Sequence, residues 1–285
     1  MSISINTVNS ANVAVQPLST QLVSTQLSST ALNSAASTLT VPASQTASAP
    51  MTVTAVDPQD HTRLDKYLKA LNAPLQMGVD AGNIANALVP TMQSVVKERP
   101  DLANAQFDFA SSNGTIVVSS KTLSDADKTW LQGKLNSNTA LVQAVKSFHD
   151  DAVAGYTTWA DADGKTLSQS ESDAVSKQAD GLTSFMSLFN SMGTEAQSSL
   201  MTGGTYSTPG GAQLNLAQNP GSANGFLSFM QSVQAAKDGT ATFTSTSGRT
   251  SYGVLRANIF EMNSSAIPNF FPPSDTQSLG FTEQA

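Results

Sequence analysis

The chain of 285 residues contains no cysteine and few charged side chains. Without cysteine it can form no disulfide, no thiolate metal site and no thiol nucleophile. Charged residues make up 12% of the sequence, about half the share that is usual in globular proteins. We therefore expect hydroxyl and amide side chains, more than charge, to keep the protein soluble.

Basic residues are scarcer than acidic ones. The sequence has 14 Lys and Arg against 21 Asp and Glu, which gives a net charge of -7. A nucleic-acid partner requires clustered basic side chains that displace counterions from phosphates, and the 14 basic residues are dispersed. The sequence therefore predicts no nucleic-acid partner, and it disfavours an anionic membrane surface.

Long apolar runs are missing as well. No stretch reaches the length of about 18 apolar residues that indicates a membrane-spanning helix, so no transmembrane segment is expected. Residues 1–56 contain no Lys or Arg and no apolar block of the length found in cleavable signal peptides. A Sec-type signal peptide is therefore not predicted.

The sharpest boundary in the sequence lies at Asp57, the first charged residue. Residues 1–56 have too few apolar side chains to offset an ordering cost of about 1 to 2 kcal/mol per residue, so we predict that this segment is disordered. Leucines punctuate it, and they could lie along the groove of a partner or be isolated apolar residues in a linker. These leucines are Leu18, Leu22, Leu27 and Leu32.

Residues 57–200 have the spacing of amphipathic helices and predict a helical domain. Asp57 and Pro58 suit the cap and first position of a helix, whose apolar stripe comprises Leu64, Tyr67, Leu68 and Leu71. A second helix is predicted over 79–97, interrupted or restarted at Pro90. Further helices are predicted from Ser124, from Thr139, and from Glu171 through Phe189.

Two segments have the alternation of β-hairpins. In residues 106–119, alternating apolar side chains flank Asn113-Gly114, which suits a tight turn with positive φ. Residues 201–285 are predicted to be rich in loops, with a long loop over 203–225 and one helix over 222–237. A possible hairpin around Ser247-Gly248 is predicted from strands over 240–246 and 250–259. The predicted fold is therefore mainly α: a small helical bundle with one or two β-hairpins, preceded by a disordered N-terminal segment.

The sequence offers little evidence of catalysis. Both histidines, His61 and His149, are predicted to lie on solvated helix faces. The stretch 161–164 resembles the start of a calcium loop, but Ser170 occupies the position of the bidentate Glu, so a polar turn that ends a helix is the better interpretation. No catalytic, cofactor-binding or metal-ligating residues are predicted. Phe270 and Phe271, in a proline-rich tail, could form a docking peptide or a strap over the core.

The opening of the chain resembles substrates of Gram-negative type III secretion. It begins with Met1-Ser2-Ile3-Ser4-Ile5-Asn6-Thr7, is rich in Ser, Thr, Asn and Gln, and lacks early charges. The acidic, cysteine-free composition with abundant Gly, Ser, Ala and Gln also resembles harpin-type secreted proteins. This resemblance implies that residues 1 to about 25 are an uncleaved export signal and that the next stretch binds a secretion chaperone.

We therefore predict a secreted bacterial protein, extracellular or in a host cell, that acts by binding a host or secretion-apparatus protein. Two alternatives remain open at this stage. One is an effector enzyme whose site is built from Asp, Glu, Ser and His side chains of residues 57–200. The other is a structural protein of a bacterial surface or filament.

Overall fold

The computed structural model describes residues 58–200, 203–262 and 266–267, all of which belong to one compact unit. The predicted disordered segment 1–56 lies outside these residues. Over the described residues the fold is mainly α-helical with two small antiparallel sheets, as predicted. The helices are α1 (Pro58–Glu98), α2 (Asp125–Ser137), α3 (Thr139–Ala162), α4 (Gln169–Ala179), α5 (Phe185–Ser198), α6 (Ala223–Asp238) and α7 (Ile259–Met262). The strands are β1 (Asp108–Ser112), β2 (Thr115–Ser119), β3 (Gly204–Ser207), β4 (Thr242–Ser245) and β5 (Thr250–Tyr252).

Helix α1 runs through two prolines, Pro74 and Pro90, without ending. The prediction of a separate second helix over 79–97, interrupted or restarted at Pro90, was therefore wrong. A proline inside a helix costs about 3 kcal/mol because one hydrogen bond is lost and the ring crowds the preceding turn. Burial on both sides of Pro90 offsets this cost: Ile84, Leu88, Met92 and Val95 are all inaccessible to solvent or nearly so.

The predicted hairpin at 106–119 is confirmed. Strands β1 and β2 pair in antiparallel register around Asn113 and Gly114, whose φ angles are 48° and 73°. The outer edge of β2 is covered by side chains of α2 instead of a third strand. The amide of Asn136 bonds both backbone groups of Ile116, and Gln132 accepts from the N–H of Val118.

The predicted starts of α2 and α3 are also confirmed. Ser124 accepts a hydrogen bond from the backbone N–H of Asp127, and Asn138 accepts one from the N–H of Leu141. Asn138 additionally donates to the carbonyl oxygen of Ala87 in α1 at 2.8 Å. The cap of α3 therefore also fixes its position against α1.

The helix predicted from Glu171 through Phe189 is in fact two helices. It is broken at Gly181, where φ is 70°, a value that favours glycine. The N–H of Gly181 donates to the carbonyl oxygen of Ser111 at 2.9 Å. The spacing of apolar residues continues across the break because α4 and α5 both face the same core, so periodicity could not reveal it.

The C-terminal region contains the predicted helix, α6, capped by Ser222. The predicted hairpin around Ser247-Gly248 forms from β4 and β5. Residues 203–225 were predicted to be a loop, but they contribute β3, which pairs with β4 and extends the sheet to three strands. The predicted continuation of the second strand to Ile259 was wrong, because α7 begins there.

A chain of phenylalanine rings passes through the core. Phe185 packs against Phe109 and Phe148, with 5.2 Å between ring centroids in each pair. Phe189 packs against Phe226 of α6 at 5.8 Å and Phe260 of α7 at 6.0 Å. Side chains before and after residue 200 therefore share one core.

Candidate functional site

Five large apolar side chains lie exposed in a row along the first half of α1, and we call them the leucine stripe. Their spacings of four, three, four and four residues put them on one face of the helix. Between 38% and 57% of each residue is accessible to solvent. The exposed fractions are 43% for Leu64, 52% for Leu68, 57% for Leu71, 47% for Leu75 and 38% for Val79.

The opposite face of the same helix is the one that packs into the core. Ala70, Met77, Ala81 and Ile84 are inaccessible to solvent. The first half of α1 is therefore apolar on two opposite faces, and burial against α3 accounts for only one of them. The predicted apolar stripe of Leu64, Tyr67, Leu68 and Leu71 exists, but its leucines point to solvent and the stripe continues to Val79.

The leucine stripe ends where α7 covers α1. Gly78 and Gly82 lie on this face of α1, and both are buried against Phe260. A Cβ atom at Gly78 would lie 2.4 Å from the backbone oxygen of Phe260, so a side chain there would displace α7. Along this face of α1, α7 covers the part around Gly78 and Gly82, and the preceding part with the leucine stripe is exposed among the described residues.

A set of polar contacts joins the first half of α1 to the end of α3, on the side of α1 next to the leucine stripe. Arg63 Nε donates to the carbonyl oxygen of Ala162 at 3.2 Å, and Lys66 pairs with Asp161 at 2.9 Å. Tyr67 donates to Asp163 and packs edge-on against Trp159. We call these contacts the α1–α3 latch.

The latch explains the stretch 161–164, which resembles a calcium loop. Ala162 ends α3, Asp163 is its C-cap, and Gly164 has a φ of 78°. The predicted polar turn at the end of a helix is therefore confirmed. Partial burial, followed by the hydrogen bond to Asp163, raises the pKa of the Tyr67 hydroxyl, which keeps this hydroxyl protonated as the donor.

The borders of the stripe carry little net charge. Asp65 and Lys69 oppose each other in sign, and Asn72 and Gln76 contribute exposed amides. A partner would therefore meet apolar contacts at the centre and hydrogen-bonding groups at the rim. This arrangement is typical of protein interfaces, whose centres are depleted of charge.

A second cluster of polar side chains surrounds His149. Its side chain is only 16% exposed, so the prediction of a solvated position was wrong. Nε2 lies 3.0 Å from the backbone oxygen of Ser176 and 3.4 Å from the Ser176 hydroxyl. Because the nearer atom is an acceptor, Nε2 donates to it and cannot take a proton from Ser176.

Asp180, beside His149, is also fully engaged. Its Oδ1 accepts from the Ser111 hydroxyl and its Oδ2 from the backbone N–H of Asn113, both at 3.0 Å. This cluster ties α3, α4 and the first hairpin together. These hydrogen bonds hold backbone segments and side chains of the fold in place. The cluster therefore does not support the enzyme hypothesis.

The described part of the chain has neither a metal-ligand cluster nor a membrane-spanning helix. No three acidic or histidine side chains there converge on a common point. Every helix among the described residues is too short or too polar to span a bilayer. The side chain of His61 lies outside the described part.

The partner-binding residues proposed from the sequence lie outside the described residues. They are Leu18, Leu22, Leu27 and Leu32, together with Phe270 and Phe271. The stripe on α1 was missed as a site because periodicity marks an apolar face without telling which way it points. The one available clue was that the leucines lie opposite a second apolar face, formed by Ala70, Met77 and Ala81.

Comparison of the chain with protein-family models gives no match, and comparisons with curated proteins and with solved structures give none either. The leucine stripe and the contacts that orient it are therefore the main basis for a functional proposal.

Proposed function

We propose that this chain is a secreted bacterial protein that acts by binding another protein, and that the leucine stripe is its binding surface. The observation that supports this most is the exposure of five neighbouring apolar side chains on a helix that is otherwise firmly packed. Soluble proteins rarely leave a contiguous apolar patch exposed unless a partner covers it.

The shape of the stripe fits a partner helix. From Leu64 to Val79 it extends about 22 Å, at about 1.5 Å per residue, which equals about four helical turns. The spacings of four and three residues match those of helices that pair through leucine side chains. A helix with one apolar face would cover the stripe, with its polar face left in water.

The charges around the stripe favour a protein over a lipid surface. Helices that lie on membranes carry many Lys and Arg side chains on their polar faces. Here the borders carry one residue of each sign, Asp65 and Lys69, and the chain has a net charge of -7. Attraction to anionic lipids is therefore weak, and apolar contact with a protein remains the better match.

Photo-crosslinking tests the binding half of the proposal. A photoreactive amino acid at position 68 of the full chain, expressed in the producing bacterium or applied to host cells, should crosslink to a defined protein. The crosslinked segment of that protein should be an amphipathic helix, and Leu64→Ser combined with Leu75→Ser should abolish the product. The same amino acid at Gln143, an exposed position on α3, is the control. Equal crosslinking at both positions, or crosslinking to lipid alone, would contradict protein binding through the stripe.

The export half rests on the composition of residues 1–56, which contain no charged side chain. A reporter enzyme fused to these residues should leave the bacterium only when a type III secretion system is functional. The control is a fusion in which several Ser and Thr residues of this segment are replaced by Lys and Glu. Release that is equal with and without the secretion system would remove the export half and leave the binding half intact.

A further inference from the structure

Asp80 is a carboxylic acid buried between the two longest helices of the fold. It lies one residue beyond the leucine stripe, on the side of α1 that packs against α3. Only 3% of the residue is exposed. Its Oδ2 atom is buried and has no hydrogen-bond partner among the described residues. A buried acceptor without a partner is costly, and the cost is much larger if the group carries a charge.

The described neighbours of Asp80 do not supply a counter-charge. From α3, the carboxyl group of Asp151 approaches within hydrogen-bonding reach, and from α1 itself Gln76 and Asn83 contribute amides. The other helices packed on this part of α1 bring Lys237 of α6 and Glu261 of α7 to a cleft that Asn83 also lines. None of the side chains that shift the pKa of Asp80 most strongly is basic.

Two carboxylates in such a site cannot both ionise without repulsion, so one of them retains a proton. Burial, and next the proximity of Asp151, raise the pKa of Asp80 to about 7, although the hydrogen bonds from Gln76 and Asn83 oppose the rise. A carboxylic acid that stays protonated can donate to the carboxylate opposite. The helix interface is then joined by a short O–H···O⁻ bond instead of being pushed apart.

We propose that Asp80 holds a proton where it faces Asp151 across the α1–α3 interface, and that these two side chains form a pH-sensitive joint between the helices. While Asp80 is protonated, its hydroxyl donates to Asp151 and holds α1 against α3. When the proton is lost, two facing negative charges remain in a site without a counter-ion, and the interface is weakened. This inference does not depend on the leucine stripe or on secretion.

The sign of the pH dependence follows from linkage. In the unfolded chain Asp80 has an ordinary carboxyl pKa of 3.8, so between that pH and neutrality the folded state binds one more proton than the unfolded state. The stability that this proton contributes is therefore fully present below pH 3.8 and is lost as the pH rises towards about 7. The unfolding constant rises about tenfold per pH unit in this interval, or about 100-fold between pH 5 and pH 8.

Denaturant unfolding of the full chain at several pH values between about 5 and 8.5 tests the joint. Wild-type protein should lose stability as the pH rises, and Asp80→Asn, a neutral substitute of the same shape, should remove this loss of about 100-fold. Asp151→Asn leaves Asp80 buried but removes the facing carboxyl group, so the pH-dependent loss of stability should become smaller without disappearing. This variant tests the joint if Asp80→Asn does not fold. Asp173→Asn, at an exposed carboxylate on α4, should leave the pH profile unchanged.

Amide exchange locates the effect. Above pH 7, protection corrected for intrinsic rates should fall in residues 76–84 of wild-type protein and stay constant in Asp80→Asn. Parallel pH profiles of wild type and Asp80→Asn would overturn the joint. Millimolar Ca²⁺ or Mg²⁺ that stabilises wild type at pH 8, but not Asp80→Asn, would also overturn it, because the pair would then hold a cation in place of a proton.

Discussion

The hydroxyl of Tyr67 donates a hydrogen bond to the Oδ1 atom of Asp163, joining the first half of α1 to the residue that caps the end of α3. This bond connects residues 96 positions apart in the chain. It adds to the core packing of Met77 and Ile84, which turns the opposite face of α1 inward. Together these contacts leave the leucines of the stripe on the exposed face of α1.

Replacing Tyr67 by phenylalanine should therefore loosen the first half of α1. Loss of one partly exposed hydrogen bond to a carboxylate should cost about 1 kcal/mol of unfolding free energy. Amide exchange should become faster in residues 62–72 but stay slow in 84–95, which lie deeper in the core. Tyr252→Phe is the matched control, since that tyrosine is 77% exposed. Equal exchange rates in both variants would show that the latch does not hold the helix.

A second prediction concerns the approach of the chain around Leu216 to α5. A Cβ atom at Gly193 would lie 2.0 Å from the backbone oxygen of Leu216 and 2.7 Å from the ring of Phe229. Because backbone atoms cannot rotate away, Gly193→Ala should destabilise the protein by about 3 kcal/mol. The loss would appear as a lower midpoint in denaturant unfolding.

Gly133 is the control for this substitution, since it also lies within a helix. A methyl group at Gly133 would meet no atom of the described residues within 4 Å. Gly133→Ala should stabilise the protein by about 0.5 to 1 kcal/mol, because alanine loses less backbone freedom on folding. If both variants shift stability in the same direction, the close approach at Gly193 does not determine the effect.

Local chemistry made several elements predictable from the sequence. The hairpin at Asn113-Gly114 and the caps at Ser124 and Ser222 depend on residues within three or four positions of each other. The helix type of most segments follows from apolar periodicity in the same way. Such features require no knowledge of which parts of the chain meet.

Features that depend on distant contacts could not be predicted. The continuation of α1 through Pro90 depends on burial against α3, α6 and α7, and the break at Gly181 depends on a bond to Ser111. The same limit applies to the candidate site. The outward direction of Leu68 and Leu71 follows from the burial of the opposite face of α1 and from the bond of Tyr67 to Asp163, 96 residues later.

A third prediction concerns acid. Arg99 bonds both Asp101 and Asp127 and lies over the ring of Trp130. Hydrogen bonds from Arg99 and, for Asp127, first of all from Ser124 hold the pKa of each carboxyl below its usual value. The folded state therefore binds fewer protons than the unfolded state near pH 3 to 4, and stability falls as the pH drops through this interval.

Arg99→Gln should lose less stability at acidic pH than wild type. Its thermal midpoint should therefore change less between pH 5 and pH 3. Trp130 fluorescence should also change, because the guanidinium lies over its ring. Lys177→Gln, an exposed charge on α4, is the control and should leave the slope unchanged. An acid-side slope in Arg99→Gln equal to that of wild type would show that these pairs do not contribute to folding.

The fourth prediction concerns the edge of β2. Asn136 accepts from the N–H of Ile116 at 2.9 Å and donates to the carbonyl oxygen of the same residue at 2.8 Å, as a neighbouring strand would. Asn136→Ala leaves both backbone groups without partners at a partly buried position, which should cost about 2 kcal/mol. Asn136→Asp keeps the acceptor but turns a carboxylate oxygen towards the carbonyl oxygens of Ile116 and Gln132, so it should also be less stable than wild type.

Loss of this amide should also change how the protein behaves at high concentration. A strand edge with free backbone groups can pair with the edge of another chain, so Asn136→Ala should self-associate in light scattering at concentrations where wild type does not. Gln143→Ala removes an amide from an exposed helical position and should have neither effect. If Asn136→Ala is as stable and as monodisperse as Gln143→Ala, then water satisfies Ile116 equally well, and α2 does not protect the sheet.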